Sequence, residues 1–577
     1  MKKTKNTRSG KKSVFRKIRK IFLWVLIVLI VIAGSAALIS YYYGTRIVRE
    51  SLISAVEKGS KGLYHVKMKN LYFNLVTGRV YVSGFQLIPD TALYNRQQEK
   101  DTLSPMLIAI NIAKFQVQGI DFYKLAKDRD LVIRKILIEN PEVTLTVRRP
   151  SEKKEKKESP QKQLSIPLPK ALNSLHILEI VLKDGKLLFD NRTVSPAEKF
   201  SIPSLNVSLK NIQVDSTHTG KKRIFNTDDI RVVLKGMKMN TKDSMYTVVP
   251  GEIGLSTGSS SFWVRDFELI PNYSKAGFSK KLGYQMDRME ISVRKIDITN
   301  IDYRALILNL KFIAGQIRAE GLVFDDYRDK RTPLRPNFMP PLPQQALLRS
   351  KMYIKIDSVT LVDGKVIYSE QVGEKPGSMF FDKMKVTVLN VTNDSSLVLK
   401  KTVMAVNASM YLMGKGLLRV NLKIPLGEKN DAFSFSATLG AMELNSINPM
   451  LTNLVPAKIN GGTVIQLVIP YVYADNDKST GTMNFSYKGL QLEMKGVPED
   501  TWSKIKAGAI TFVANTYVKN ENPTASGKFT KGMIYFERDK HKSIFNFLWK
   551  SAFSGIKSTI GINKKEQKEM KKAQKKK

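Results

Sequence analysis

Gly254-Leu-Ser256-Thr-Gly258 spells G-x-S-x-G, the turn on which many hydrolases raise a nucleophilic serine above a sheet. That chemistry needs a helix after the serine. Ser259 to Leu269 read as strand instead, so a simple turn is expected. Asp475-Asn-Asp477-Lys-Ser-Thr-Gly481 is spaced like the start of a calcium loop. Its glycine falls one place late, and Ser486 stands where a bidentate glutamate is required, so the segment reads as a polar hairpin tip. The histidines, His65, His176, His218 and His541, are too scattered to ligate a metal along one element. With no cysteine there is no disulfide, thiolate site or cysteine nucleophile, and no P-loop or dinucleotide fingerprint occurs. The reading is therefore a protein that is not an enzyme, with no catalytic residue, metal or cofactor.

The elements that would carry any other function begin with charge. The formal net charge is +43, but Lys2 to Lys20 and Lys564 to Lys577 hold much of it in basic tails. The rest is spread over strands and turns without the arginine clusters or recognition helix of a base-reading module, so no nucleic-acid partner is expected.

From Ile21 to Tyr43 the chain carries no charge, and roughly 20 apolar residues suffice to cross a bilayer as a helix. Ile21, Phe22, Leu23, Trp24, Leu29 and Ile30 belong to its apolar body, and Tyr41, Tyr42 and Tyr43 form an aromatic cluster suited to the interface. A cleaved signal peptide competes, since Ala33, Gly34, Ser35 and Ala36 are small. The run continues through Leu38 and Ile39, which favours a retained anchor. The basic flank places residues 1–20 in the cytoplasm and the body across the membrane.

Beyond a short helical connection at 44–62, hydrophobicity alternates with period two. Leu71, Phe73 and Leu75 alternate, as do Ile108 and Ile110, Val143 and Leu145, and Val207 and Leu209. The chain is also similar to itself. Val82 to Pro89 returns as Val264 to Pro271, Ile133 to Asn140 as Val293 to Asn300, and Leu182 to Phe189 as Leu361 to Tyr368. Two β repeat units, 63–243 and 244–400, are followed by a further β region at 401–540, an amphipathic helix at 541–562 and a lysine-rich tail at 563–577. The fold class is mainly β: an elongated, curled antiparallel sheet, one set of alternate residues lining its inside. About 35 to 40 strands at roughly 4.8 Å spacing would make a trough no longer than about 190 Å. Pro150 to Gln163 reads as a solvated loop and Pro333 to Pro343 as a proline-rich connection. In the final helix Phe545, Trp549, Ala552, Ile556 and Ile560 form one stripe, which suits either a membrane interface or a cap on the sheet's open edge.

The anchor, the Thr77 to Phe85 unit, the Ile138 to Leu145 stretch and the paired Asp-Gly-Lys strands together resemble the AsmA-like family of Gram-negative envelope proteins. Ser434 to Gly440, Leu444 to Leu451 and Gly481 to Tyr487 are similar to that family's C-terminal region. The resemblance implies a single-pass inner-membrane anchor and a periplasmic β-groove, or β-taco, as in relatives such as TamB and YhdP. It further implies membrane phospholipids as partners, conducted towards the outer membrane, with Ile108, Ile110, Val143, Leu145, Val207 and Leu209 in the groove. The alternative is a factor for outer-membrane protein assembly or envelope structure, with an envelope protein as its partner.

Overall fold

A computed structural model describes residues 49–50, 52–74, 77–96, 106–148, 171–193, 198–215, 227–455, 457–494 and 518–561. The anchor residues Ile21, Phe22, Leu23, Trp24, Leu29, Ile30, Tyr41, Tyr42 and Tyr43 lie outside these, as does the 150–163 loop. Among the described residues no helix is long and apolar enough to cross a membrane. Residues 52–59 are helical, within the expected connection.

The chain is mainly β and divides into two units, Met1–Met237 with Glu252–Ser261, and Lys238–Gly251 with Phe262–Lys577. The first contains β1 (Tyr64–Lys67), β2 (Asn70–Asn74), β3 (Arg79–Pro89), β4 (Met106–Ile120), β5 (Asp130–Val147), β6 (Ser174–Asn191), β7 (Glu198–Asp215) and β8 (Asp229–Lys235). The second opens with β9 (Met239–Asn240) and the start of β10 (Tyr246–Ser256), whose residues from Glu252 on belong to the first, then β11 (Ser261–Pro271), β12 (Asp287–Thr299), β13 (Lys311–Asp329), β14 (Tyr353–Gln371) and β15 (Pro376–Thr392). It continues through β16 (Val403–Leu412), β17 (Gly416–Pro425), β18 (Phe433–Leu439), β19 (Met442–Glu443), β20 (Ala457–Ala474), β21 (Lys478–Met494) and β22 (Gly532–Glu537) to a helix, Ile544–Ile560.

The expectation of an antiparallel sheet needs correction, because the sheet is mixed. β3, β4 and β5 pair antiparallel, β5 and β6 parallel, and β6, β7 and β8 antiparallel. The second unit repeats this order: β11, β12 and β13 antiparallel, β13 and β14 parallel, then β14, β15 and β16 antiparallel. A parallel pair cannot close with a two-residue hairpin and needs a crossover. The Pro333–Pro343 segment lies in the second unit's crossover, ahead of the short helix Pro343–Leu348.

Strands are also fewer and longer than expected, 22 among the described residues, with β13 and β14 each 19 residues long. They run long because they pass through phase slips that a period-two reading takes for strand ends. After Met106 and Leu107, β4 buries Ile108, Ile110 and Ile112, then Phe115 and Val117, then Ile120. β5 buries Leu131 and Ile133, then Ile136 and Ile138, then Pro141 and Leu145. β6 buries Leu175 and Ile177, then Ile180 and Leu182, then Gly185, with Asp190 buried near its end. The inward parity thus changes twice per strand, correcting the single set of alternate residues expected above. The slips line up in rows across neighbouring strands, at left-handed residues such as Asn140, Asp184 and Asn211. Each such residue re-aims the side chains beyond it and bends the strand.

These residues also set the true register of the duplication. Gly119 (φ 66°) precedes the Asp121-capped helix Phe122–Asp128, which ends at left-handed Arg129. Asn300 (φ 55°) likewise precedes the Asp302-capped helix Tyr303–Asn309, which ends at left-handed Leu310. Asn140 on β5 corresponds to Gly321 on β13, and Asp184-Gly185 to Asp363-Gly364, with the same register shifts on either side. The outer two sequence matches therefore fall on equivalent strands. The middle one pairs β5 with β12, one strand out of step, because Asn and Gly exchange at left-handed positions.

Candidate functional site

In the first unit apolar residues form rungs across the strands. Val80, Val117, Ile136, Ile180 and Leu209 are cross-strand neighbours, as are Val82, Phe115, Ile138, Leu182 and Val207. Ile110 pairs with Val143, and Ile108 with Leu145. All six residues expected in the groove, Ile108, Ile110, Val143, Leu145, Val207 and Leu209, thus belong to one apolar cluster. That cluster is largely closed: Ile133, Ile136, Ile177 and Ile180 are buried, as are Ile108, Ile110 and Leu145. Val143, Val207 and Leu209 are only half-buried, beside Leu187, Phe189 and Leu205.

The equivalent face of the second unit is less completely covered: Val293, Ala314 and Ile356 are buried, but most of its rung residues are half-buried. Val264, Ile296, Ala319, Leu361, Val386, Ala408, Val420 and Ala437 form one rung. Ile298, Ile317, Val359 and Val388 belong to the next. From β11 to β15 these residues are half-buried, as are their polar neighbours Thr360 and Thr387 on the opposite face. Part of the reason is volume. Where β5 carries the buried Ile138, β13 carries the half-buried Ala319, so less side chain fills the interior there. Sequence reasoning missed this face, although carrying Leu182 and Val207 across the repeat leads to Leu361 and Val386.

Two rungs further along, the face turns polar. Ile291, Phe324, Val366 and Phe381 form an apolar rung, Met289, Asp326, Tyr368 and Met379 the next, and Asp287 with Arg328 follows. Arg328 donates from Nε and Nη2 to both Asp287 carboxylate oxygens at 2.5 Å. Lys330 Nζ donates to Glu370 Oε2 at 2.5 Å, and Tyr368 Oη to Glu370 Oε1 at 2.5 Å. Asp326 Oδ1 is buried without a hydrogen-bond partner. Burial, reinforced by the Asp287 charge, pushes the Asp326 carboxyl up to about 7. Burial opposes ionisation of Glu370, yet Lys330 and Tyr368 hold it below its ordinary value. From the C-terminal helix and the turn before it, Lys550 and Lys542 face this cluster. Burial lowers both, Lys550 to about 8, and the neighbouring Lys330 lowers each further. An acidic pair interrupting the Leu322 to Phe324 run was the available sequence signal for this cluster.

The C-terminal helix covers an edge. β22 pairs with β21 on one side. On the other, Met533 N–H donates to Ser558 Oγ at 2.9 Å and Tyr535 N–H to Ser554 Oγ at 3.2 Å. These donors would otherwise offer a template to another strand. The buried helix face is Phe547, Ser551, Gly555, Ser558, Thr559 and Ile560. The stripe read from the sequence is therefore divided: Ile560 is buried, Ala552 and Ile556 are half-buried, and Phe545 and Trp549 are 77% and 40% exposed. Small serines and glycine make the closest contact, where a hydrophobic stripe was the expected one.

The residues first singled out for chemistry are turns. Ser256 Oγ donates to Asp229 Oδ1 at 2.9 Å and accepts from Ser259 N–H, between β10 and β11 with no helix following. Asp475 Oδ1 accepts from the Asp477 and Lys478 amides at the β20–β21 tip. Among the described residues no group of acidic, histidine or cysteine side chains is placed to hold a metal. The fold and site define a class, a mainly β protein whose mixed sheet carries an apolar face and a capped edge. No protein-family model matches this chain, and no curated protein matches it.

Proposed function

We propose that this chain is a membrane-anchored carrier that shelters phospholipid acyl chains on the half-buried apolar face of β11–β15. The carrying observation is that Val264, Ile296, Ala319, Leu361 and Val386 form a continuous apolar rung, with Ile298, Ile317, Val359 and Val388 in the next, and that all of them are only half-buried. Covering a methylene there contributes about 0.8 kcal/mol, and successive rungs offer equivalent contacts, so a lipid can step along without a deep trap. The fuller proposal is an AsmA-like protein, anchored in the inner membrane through Ile21 to Tyr43, its body periplasmic, conducting phospholipids towards the outer membrane. The competing assembly-factor reading requires a sheet edge to offer; at the β22 end that edge is bonded to its helix, so such a partner would have to use the end formed by β1 and β2, which pair with β3.

Photo-crosslinkers at Leu361 and Val386, with controls at Thr360 and Thr387 on the opposite face, test the reading. Lipid adducts at the first pair alone are expected. Protein adducts alone, or no adduct at any position, would overturn it. Reporter fusions at residues 20 and 60 test the topology, and a cytoplasmic signal at 60 would reverse the localisation.

A further inference from the structure

We propose that an exposed apolar surface shared by the β13–β14 crossover and the C-terminal helix docks on the surface of an anionic phospholipid bilayer. The inference is independent of the acyl-chain reading, since no residue of the β11–β15 face takes part.

Two segments far apart in sequence meet here. His541 Nδ1 donates to Phe338 O at 3.0 Å, and Arg538 Nη2 to Pro340 O at 3.0 Å. These bonds hold the proline-rich crossover against the turn that leads into the C-terminal helix. Arg335 lies over the Tyr284 and Phe338 rings at 5.4 and 4.8 Å, and left-handed Asn337 turns the chain between Arg335 and Phe338. The crossover leaves Leu334, Phe338 and Met339 exposed, and the helix leaves Phe545 and Trp549 exposed. Large apolar residues gathered in this way at the surface mark an interaction site.

The helix side is ordered as a ladder. Phe545, Trp549, Phe553 and Lys557 follow at intervals of four residues, which places them on successive turns along one side. Trp549 stacks on Phe553 with centroids 5.8 Å apart, and Lys557 Nζ stands 5.7 Å from the Phe553 centroid. The other face is already used: Ser551 bonds to Ser479 on β21, Ser558 accepts from Met533 on β22, and Gly555 lies close to Ile534 and Met483. An aromatic stripe that ends in a lysine suits a helix lying in the headgroup region of a bilayer.

Charge selects the occupant. The sequence has no acid between Asp329 and Asp357, the interval that holds the crossover, and none between Asp539 and Glu566, the interval that holds the helix. Arg335, Arg349 and Lys351 fall in the first, and Lys542, Lys550 and Lys557 in the second. Residues 567–577 add six lysines against one glutamate. A surface of one sign, with aromatic rings among its cations, is complementary to anionic headgroups over a hydrocarbon layer. A neutral apolar protein face would gain nothing from those cations.

The test holds the full chain in phosphatidylcholine nanodiscs and measures its flotation with vesicles of phosphatidylcholine alone, or of phosphatidylcholine and phosphatidylglycerol in equal parts. The mixed vesicles should carry about tenfold more chain than the neutral ones. Phe545→Ser with Trp549→Ser, and separately Phe338→Ser with Met339→Ser, should each lower that recovery about fivefold with an unaltered melting profile. If the helix double variant melts lower, Phe545→Ser alone, at the most exposed of these residues, carries the comparison. Phe545→Trp should retain the recovery. Unchanged recovery in either serine variant would overturn the shared surface, and equal recovery with neutral vesicles would overturn the anionic assignment. No recovery with either vesicle would overturn the bilayer, and capture of polyglutamate that the serine substitutions abolish would then assign the surface to an acidic protein. Each of these outcomes leaves lipid capture at Leu361 untouched.

Discussion

Ser479 on β21 and Ser551 on the C-terminal helix are both fully buried and share a 2.7 Å hydrogen bond between their Oγ atoms. The contact marks a seam of small residues, so the helix lies close enough for Ser554 and Ser558 to take the outward amides of β22. A helix with larger residues along this seam would stand off and leave those amides to water.

Gly555 is the test of that seam. A Cβ there would fall 2.8 Å from Ile534 Cγ1 and 3.1 Å from Met483 Cε. Gly555→Val is expected to cost about 1–3 kcal/mol in denaturant titration through overpacking. It should also lift the helix from β22 and produce concentration-dependent self-association by light scattering. Ser554→Ala with Ser558→Ala should cost less and leave the helix in place by circular dichroism, while increasing amide exchange at Met533 and Tyr535.

Asn140 tests the phase slips. It is left-handed at φ 50°, and its counterpart on β13 is Gly321 at φ 68°. Asn140→Gly should change stability by only a few tenths of a kcal/mol, whereas Asn140→Val should cost roughly 1–2 kcal/mol, because a β-branched residue resists that conformation. Equal effects in thermal melts would mean that the slip is not set by backbone conformation.

The same residues explain what was legible in the sequence. The β class, the duplication and the C-terminal helix could be read, because alternation and turn residues are local signals. Strand order could not, since the β5–β6 and β13–β14 parallel pairs depend on crossovers with no local signature. Parity failed for a different reason: Ile133 and Ile136 face the same side although three apart, and a strict period of two assigns them to opposite faces. The six groove residues do share one face, but its less covered counterpart lies in the other unit, where Ala319 replaces Ile138. That difference follows from packed volume, which no single strand reveals.

Asp326 sets a pH dependence. Asp287, Arg328, Asp325 and Glu370 are the charged groups facing it, and burial with Asp287 raises its carboxyl from 3.8 to about 7. The folded state then binds more protons than the unfolded chain between those values, so this group's contribution to stability falls as pH rises from about 4 to about 7 and is level above that. Asp326→Asn should flatten this part of the urea-midpoint profile and raise the midpoint at pH 8. An unchanged slope in the variant would show that another group carries it.

Ile136 and Leu361 separate core from site. Ile136 is 1% exposed inside the closed cluster of the first unit, whereas Leu361 is half-buried on the less covered face of the second. Ile136→Ala removes contacts on all sides and should cost about 2–5 kcal/mol. Leu361→Ala leaves little new cavity, because its surroundings are already partly solvent, and should cost less than half as much. The order reverses for lipid. Leu361→Asp places a charge where an acyl chain would lie and should lower the phospholipid retained per purified chain, while the denaturation midpoint moves little. Destabilisation by Ile136→Ala should leave the retained phospholipid per folded chain unchanged. A lipid ratio that tracked stability across these variants, rather than position on the face, would locate the lipid elsewhere on the protein.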